Sequence, residues 1–400
     1  MLKQESAKLL NSLSYNLLTP AQICFGWGRR AEVGELARGL GQRAFVVVGS
    51  QTLCRNGMLA EIQQRLAAQD IKSIHVADIS HEPEVADVDR LVEQLRQHQP
   101  AAGDFVMAVG GGAAIDLAKA AAAIVTNAAG DSVQDYLEGV GRGREIIAAP
   151  LPLLAMPTTA GTGSEATKNA VISSYDPPFK KSLRSDAMMP DIVLIDPELM
   201  VTVPATTTAY TGMDAITQCI ESYISRRRQP IPQALAIEGL KRAVPAITAA
   251  VAHGDSRPAR EAMAHAALLS GMALANSGLG MAHGVAAALG VHCRVPHGLA
   301  CAVMLPVAMR TNRAVARDEL EIIGRTIVDD ALRGAAAVDA GIARIQEICD
   351  EVKIPQTLTE IGVSAEQIPE IVKSSRGNSM NGNPLELSDA ELTQILEGML

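Results

Sequence analysis

Two histidines, His283 and His297, lie in a stretch nearly free of charge, where their residue type admits metal chemistry. Between Leu268 and Cys293 no residue carries a formal charge, so imidazoles here belong near a buried surface. A buried imidazole needs a hydrogen-bond partner or a metal, since an unpaired polar nitrogen costs a few kcal/mol. One such residue reads as a satisfied core histidine. Two of them, with an acidic partner upstream, read as a metal site. The partner stands in Thr211-Gly212-Met213-Asp214-Ala215-Ile216-Thr217-Gln218, with Glu221 close behind. Asp214 and Gln218 are four apart and share one face of a helix. A carboxylate and two imidazoles form a ligand set for Zn²⁺ or Fe²⁺ that leaves a position open for substrate. Gln218 is the poorer fourth donor, expected beside the ion or linked to it through solvent.

Two turns carry a different chemistry. Val109-Gly110-Gly111-Gly112-Ala113-Ala114-Ile115-Asp116-Leu117-Ala118-Lys119 joins an apolar run to an alanine-rich helix. Glycines let a backbone approach a phosphate closely, and a helix N-terminus offers free N–H groups and the positive end of its dipole. Asp116 reads either as an acid complementing that dipole or as a hydrogen-bond partner for a bound nucleotide. Lys119 reads equally as an ordinary helix-surface residue. Met156-Pro157-Thr158-Thr159-Ala160-Gly161-Thr162-Gly163-Ser164-Glu165 offers four hydroxyls and two glycines, suited to an anion or to a ribose with its diphosphate. The competing reading is a capped helix start with Ser164 as N-cap. No Gly-Lys-Ser/Thr follows, so this is not a Walker A loop.

The elements that position these residues are legible in outline. Ala44–Val48, Ile74–Asp78, Phe105–Val109, Leu153–Met156 and Ile192–Ile195 are β-like, with helical periodicity at Met58–Ala68, Val85–His98 and from Gly112 to Val125. Strands alternating with helices imply a parallel, doubly wound sheet. After about Pro197 the pattern turns helical, with segments at 209–225, 233–251, 258–274, 281–289, 299–311, 317–329, 335–352 and 389–400. The fold expected is an α/β nucleotide-binding domain over 1–197 followed by an all-α domain over 198–400.

Composition narrows the function. The chain has 400 residues, is 48% hydrophobic and only 2% aromatic, and carries a formal net charge of -9. That charge argues against nucleic acid, since phosphate binding needs clustered Lys and Arg. The six cysteines form no CxxC pair and read as reduced thiols in a cytoplasmic protein. Met1–Lys8 mixes acid and base and lacks the apolar core of a signal peptide. The 268–293 stretch is long enough to raise a membrane span, but its Ser270, Asn276, Ser277 and His283 fit a packed interior helix pair better.

In combination, Gly110–Lys119, Pro157–Glu165, Pro190–Glu198, Gly212–Ala215 and Val295–Ala300 resemble the iron-containing (group III) alcohol dehydrogenase family, from about Pro20 to the C-terminus. The resemblance implies a dehydroquinate synthase-like fold with its active site between a nucleotide-binding and a helical domain. It implies NAD or NADP on Gly110, Gly111, Gly112, Ala113, Asp116, Thr158, Thr159, Thr162 and Ser164, with Lys180 a weaker contact. It implies metal on Asp214, His283 and His297, where Gln218 replaces the family's fourth, histidine ligand. Ala287 replaces an active-site histidine of many members, which turns attention to His292 as a proton carrier or as a helix-end residue. Many members place an Asp at the end of the first core strand, where it repels a 2′-phosphate; Gly49-Ser50 lacks that charge and so admits NADP. The implied activity is hydride transfer between NAD(P)H and a small aldehyde or alcohol in a homo-oligomer, a dimer or larger. Gln218 opens the alternative of a metal-independent reductase similar to maleylacetate reductases; Gln218 and Ala287 together open that of a nucleotide-binding protein without catalysis. Arg376, in the loop 374–384, is a candidate partner for an anionic substrate group.

Overall fold

A computed structural model describes residues 14–127 and 132–400; the Met1–Lys8 segment read above lies outside them. The apolar runs become the centre of a six-stranded sheet in which every pairing is parallel. Its strands are β1 (Gln22–Phe25), β2 (Arg43–Val48), β3 (Lys72–Asp78), β4 (Asp104–Gly110), β5 (Leu153–Pro157) and β8 (Ile192–Ile195), in the order β1-β8-β5-β4-β2-β3. Central strands covered on both faces need continuous apolar sequence, and Phe-Val-Met-Ala-Val in β4 is buried throughout. Helices α1 (Val33–Ala37), α2 (Gln51–Arg55) and α3 (Met58–Ala67) pack on one face. On the other lie α4 (Val85–Gln97) and α5 (Gly112–Thr126).

The chain leaves β2 for β3 on one side and returns to build β4, β5 and β8 on the other. The crevice between the ends of β2 and β4 is therefore the point where strand order reverses, the place where open α/β sheets take ligands. Backbones meet closely there. A Cβ added to Gly49 would stand 2.7 Å from the Cα of Gly110, so neither residue tolerates a side chain without moving a strand.

Three strands were not anticipated. β1 is only four residues long, and β6 (Asn169–Tyr175) and β7 (Pro178–Arg184) form a separate antiparallel hairpin. β7 reads Pro-Phe-Lys-Lys-Ser-Leu-Arg, whose charges break any apolar run, and only its alternate residues Phe179 and Leu183 are buried with β6 Ala170 and Ile172.

Beyond Ile195 the described chain is helical: α6 (Ala205–Ile224), α7 (Pro230–Ala252), α8 (Arg257–Ala275), α9 (Met281–Cys293), α10 (His297–Asn312), α11 (Arg317–Ile327), α12 (Gly334–Glu351), α13 (Ile368–Ser374) and α14 (Asp389–Glu397). They enclose one large apolar cluster built mainly from Ala, Leu, Ile and Met. The chargeless 268–293 stretch is the end of α8, a break at 276–280, and α9. Among the described residues no helix is long and apolar enough to cross a membrane.

Candidate functional site

Asp214 sits in the middle of α6, one face of which the apolar cluster buries. His283 is in the first turn of α9, and His297 opens α10. Three elements far apart in sequence thus bring these side chains together, as their residue types suggested. His283 Nε2 lies 3.2 Å from Asp214 Oδ1, and His297 Nε2 lies 3.9 Å from the same oxygen. The imidazole centroids are 5.5 Å apart.

Glu221, two turns beyond Asp214 on α6, fixes His283. Its carboxylate accepts from the Ala282 backbone N–H at 2.7 Å and from the His283 backbone N–H at 3.4 Å. It also lies 2.7 Å from His283 Nδ1. An anion at a helix N-terminus is favoured by the dipole, and Gly280 leaves room for it, since a Cβ there would stand 2.8 Å from Glu221 Oε1. With Glu221 on Nδ1, the far nitrogen Nε2 is aimed at Asp214, the orientation that would hold this histidine on a metal once an ion displaces the Nε2 proton. Sequence reading noted Glu221 only as a neighbour of Gln218; its place two turns from Asp214 was the available signal.

Burial opposes charge on all of these groups, and neighbours decide the outcome. Burial raises Asp214, but the hydrogen bond to His283 and the nearby His297 outweigh it and hold the carboxyl below its ordinary range. Burial lowers His283, yet Cys301, Asp214 and Glu221 hold it well above an ordinary imidazole. Burial and then the Lys180 ammonium push His297 down to about 4. His297 Nδ1 is buried without a hydrogen-bond partner. An anionic carboxylate, a neutral imidazole with an unpartnered nitrogen and a second imidazole oriented through its far nitrogen fit a divalent cation.

Gln218 is not part of this set. Its Nε2 donates to the Thr162 carbonyl at 3.1 Å, and its Oε1 accepts from Ser270 Oγ at 3.1 Å. One end of the amide joins α6 to the loop after β5 and the other joins it to α8. Cys301, which sequence reading left among the unpaired thiols, stands beside the cluster instead. It lies one turn after His297 on α10, with Sγ 3.7 Å from His297 Nε2, and burial pushes its thiol up to about 12. The four-residue spacing from His297 was the signal.

A cleft joins this cluster to the glycine turn. Gly112, Ala113, Asp116, Thr162 and Ser164 line one wall, and Gln218, His283, Ala287 and His297 line the other. Gly111 and Gly112 face Thr159 and Thr162, since added Cβ atoms would meet their side-chain oxygens at 3.0 and 2.5 Å. The Thr158 N–H donates to the Gly110 carbonyl at 3.0 Å, tying the two turns together. Ser50 follows β2 at the strand-order reversal and precedes α2. Ser164 does not cap a helix: Gly163 precedes a short 3₁₀ turn there, and the Ser164 hydroxyl donates to Asp116. Asp116 also accepts from the Val171 backbone N–H at 3.0 Å, so it braces the loop and the hairpin as well as lining the cleft.

Lys119 is not a surface residue. It is fully buried, its Nζ donating to the Ser164 and Thr167 carbonyls at 2.8 and 3.3 Å and pairing with Asp116 at 3.3 Å. Lys180 lines the cleft and pairs with Glu82 at 2.6 Å. His292 lies outside the cleft wall, but its Nε2 is 2.7 Å from the hydroxyl of Ser374, which lines it. Arg376 turns away: its Nε donates to Asp389 and its Nη1 to the Leu387 carbonyl, each at 2.9 Å. The 374–379 loop does reach the cleft, through Ser374, Ser375, Gly377, Asn378 and Ser379.

Known proteins are similar to this chain in sequence and fold. A profile described as iron-containing alcohol dehydrogenase matches residues 20–197, and one described as Fe-containing alcohol dehydrogenase family, C-terminal, matches residues 208–400. The chain is 34% identical over 346 residues to the probable alcohol dehydrogenase EutG of Escherichia coli, covering 86% of this chain and 84% of that protein. It is 29% identical over 391 residues to the NAD-dependent methanol dehydrogenase of Bacillus methanolicus, covering 96% and 100%. It superposes on the alcohol dehydrogenase from Oenococcus oeni with a TM-score of 0.89 at 29% identity, covering 97% of this chain and 100% of that one.

Proposed function

Because the chain belongs to the iron-containing alcohol dehydrogenase family and is an oxidoreductase acting on CH–OH groups, we propose that it moves a hydride between NAD(P) and a small alcohol or aldehyde, with a divalent metal held by Asp214, His283 and His297. The observation that carries this reading is one cleft lined both by the glycine turn and hydroxyl loop and by the carboxylate–imidazole cluster. Bound there, the metal supplies Lewis-acid polarisation of a substrate oxygen, and the nicotinamide supplies or accepts the hydride.

The chain's own residues do the rest. Gly111 and Gly112 let the backbone approach a pyrophosphate, and the N-terminus of α5 offers it N–H donors. Thr158, Thr159, Thr162 and Ser164 offer hydroxyls to the cofactor, and the Lys180–Glu82 pair sets the charge of the wall beside His297. Glu221 keeps His283 in one tautomer. Ala287 presents a methyl group to the cleft and can move no proton. His292 reaches it through Ser374 Oγ, and that pair is the proposed route for the substrate hydroxyl proton. Neutral Ser50 admits either NAD or NADP.

The occupant of the substrate end is a small alcohol or aldehyde, and the assembly is a homo-oligomer. All six cysteines are unpaired thiols, which supports a reducing, cytoplasmic setting. The test combines metal analysis with NAD(P)H-linked aldehyde reduction. The wild type is expected to hold about one metal per chain at this buried cluster and to turn over. A His283→Ala/His297→Ala variant is expected to lose both. Wild-type reduction by that variant overturns the metal role, and full activity after exhaustive chelation identifies a metal-independent reductase instead. Tight nucleotide binding with no turnover across an aldehyde and alcohol panel identifies a non-catalytic protein.

A further inference from the structure

We propose that Cys301 is a fourth protein ligand of the metal, so that the chain builds an Asp/His/His/Cys centre in which a thiolate stands in for the side chain that Gln218 does not supply. The inference rests on the metal reading above and adds a donor to it. Asp214, His283, His297 and Cys301 each place one ligand atom within 4.8 Å of all the others. A tetrahedral ion with bonds of about 2.0–2.3 Å separates its donors by about 3.3–3.7 Å. The cluster's separations are 3.2 Å for Asp214 to His283, 3.9 Å for Asp214 to His297 and 3.7 Å for His297 to Cys301. Half of the six donor separations thus lie near those values and all lie within 4.8 Å, and a substrate oxygen would join such an ion as a fifth donor.

The helix explains the placement. His297 and Cys301 are four apart on α10, so both project from one face. Helix geometry thus delivers a second donor wherever it delivers the first. Other buried cysteines behave as small apolar residues. Cys219 packs against Gly239 in the helical core, and Cys349 faces only the Ala302 carbonyl at 3.9 Å. Among the described residues, Cys301 is the buried cysteine that shares its surroundings with two imidazoles and a carboxylate. Gln218 cannot compete, because its amide is engaged by Thr162 and Ser270.

On coordination the Sγ–H bond breaks, a sulfur–metal bond forms, and the proton leaves to buffer. No electron changes hands. A soft thiolate beside two imidazoles and one carboxylate favours zinc over iron(II).

The test uses the full-length protein in a Cys54→Ser background, because the surface trio Cys54, His75 and Asp78 also clusters and could add a sulfur signal of its own. Zinc-loaded protein is expected to show one sulfur scatterer at about 2.3 Å with nitrogen and oxygen at about 2.0–2.2 Å by X-ray absorption. The cobalt(II) form is expected to show visible d–d bands and a near-ultraviolet sulfur-to-cobalt charge-transfer band. Adding Cys301→Ser should keep the d–d bands, abolish the charge-transfer band and weaken zinc binding by at least about 10-fold. Cobalt bands with no charge transfer, and only light scatterers around zinc, overturn the Cys301 assignment while leaving the three-ligand site standing. Failure of the parent protein to bind zinc or cobalt at all overturns the metal reading itself. The absorption measurements on the parent need no second variant, so a misfolded Cys301→Ser leaves the proposal decided.

Discussion

At the scale of single residues, buried charge is tolerated here only where a partner answers it. Glu221 shows this most directly, accepting two backbone N–H groups and standing on His283 Nδ1. Replacing it with Gln puts an NH₂ group where an acceptor is needed, frees the His283 ring to rotate and is expected to weaken metal binding by about 10–100-fold. Competition against a metal-chelating dye measures this, and unchanged affinity would show that packing alone holds the ring. Glu165 is the opposite case. Burial lifts its carboxyl to about 7 despite Lys119 nearby, whereas an unfolded chain releases that proton near pH 4.3. Between those values the native state holds a proton that the unfolded state has lost, so its stabilising contribution is complete below about pH 4 and fades as pH rises toward 7. Stability relative to Glu165→Gln should therefore fall on the order of 3 kcal/mol between pH 4 and pH 8. Urea unfolding at a series of pH values reads this out, and parallel curves for the two proteins would refute it.

At the scale of elements, the glycine turn divides its labour. Gly110 exists for the contact of β4 with Gly49, while Gly112 lies against the Thr162 side chain on one wall of the cleft. Gly110→Ala is expected to lower thermal stability, because backbone must move. Gly112→Val meets the Thr162 side chain rather than backbone, so it should cost less stability than Gly110→Ala while raising the KM for NAD(P)H at least about tenfold, the loss of about one good hydrogen-bonded contact. Equal loss of stability in both would show that the turn is one structural unit. The apolar strands β2, β4, β5 and β8 were legible because each is a short run walled by turn residues. β1 was too short to register, and the β6–β7 hairpin was hidden because Lys180, Lys181 and Arg184 share its strands with the buried residues. Asp214, His283 and His297 could be read from residue type and from an uncharged setting. Cys301 was missed because the helical segment read at 299–311 stops short of His297, whereas the helix starts at His297 and makes the four-residue spacing a shared face. Lys119 misled for the reverse reason: its partners are backbone carbonyls of a loop 45 to 50 positions away, which side-chain type does not announce. The Arg376 reading failed because its counter-ion, Asp389, belongs to a helix whose docking no local pattern reveals.

At the scale of the whole molecule, the cofactor and metal walls belong to different layers that meet across one cleft. A ligand that binds only the folded form stabilises by mass action, about 2.7 kcal/mol at one hundred times its dissociation constant. NAD(P)H is therefore expected to raise the melting temperature of the metal-loaded protein by several degrees, and Gly112→Val should shrink that rise at the same cofactor concentration. Because a tenfold weaker affinity leaves about 1.4 kcal/mol at that concentration, the rise in Gly112→Val is about half that of the wild type. Scanning calorimetry measures both, and an unchanged melting temperature for the wild type in saturating cofactor would contradict the placement of the nucleotide.

The joint between the layers has its own pair of facing glycines. Gly163, in the cofactor loop with φ +58°, lies against Gly271 of α8, and a Cβ on Gly271 would come within 2.2 Å of the Gly163 carbonyl oxygen. The two positions sit 108 residues apart, on opposite sides of the point where strands give way to helices. A gene shuffled at that point inherits one glycine from each parent, and both must be present for the halves to seat. This contact acts as a compatibility lock, confining viable recombinants to parents that keep a glycine at each position.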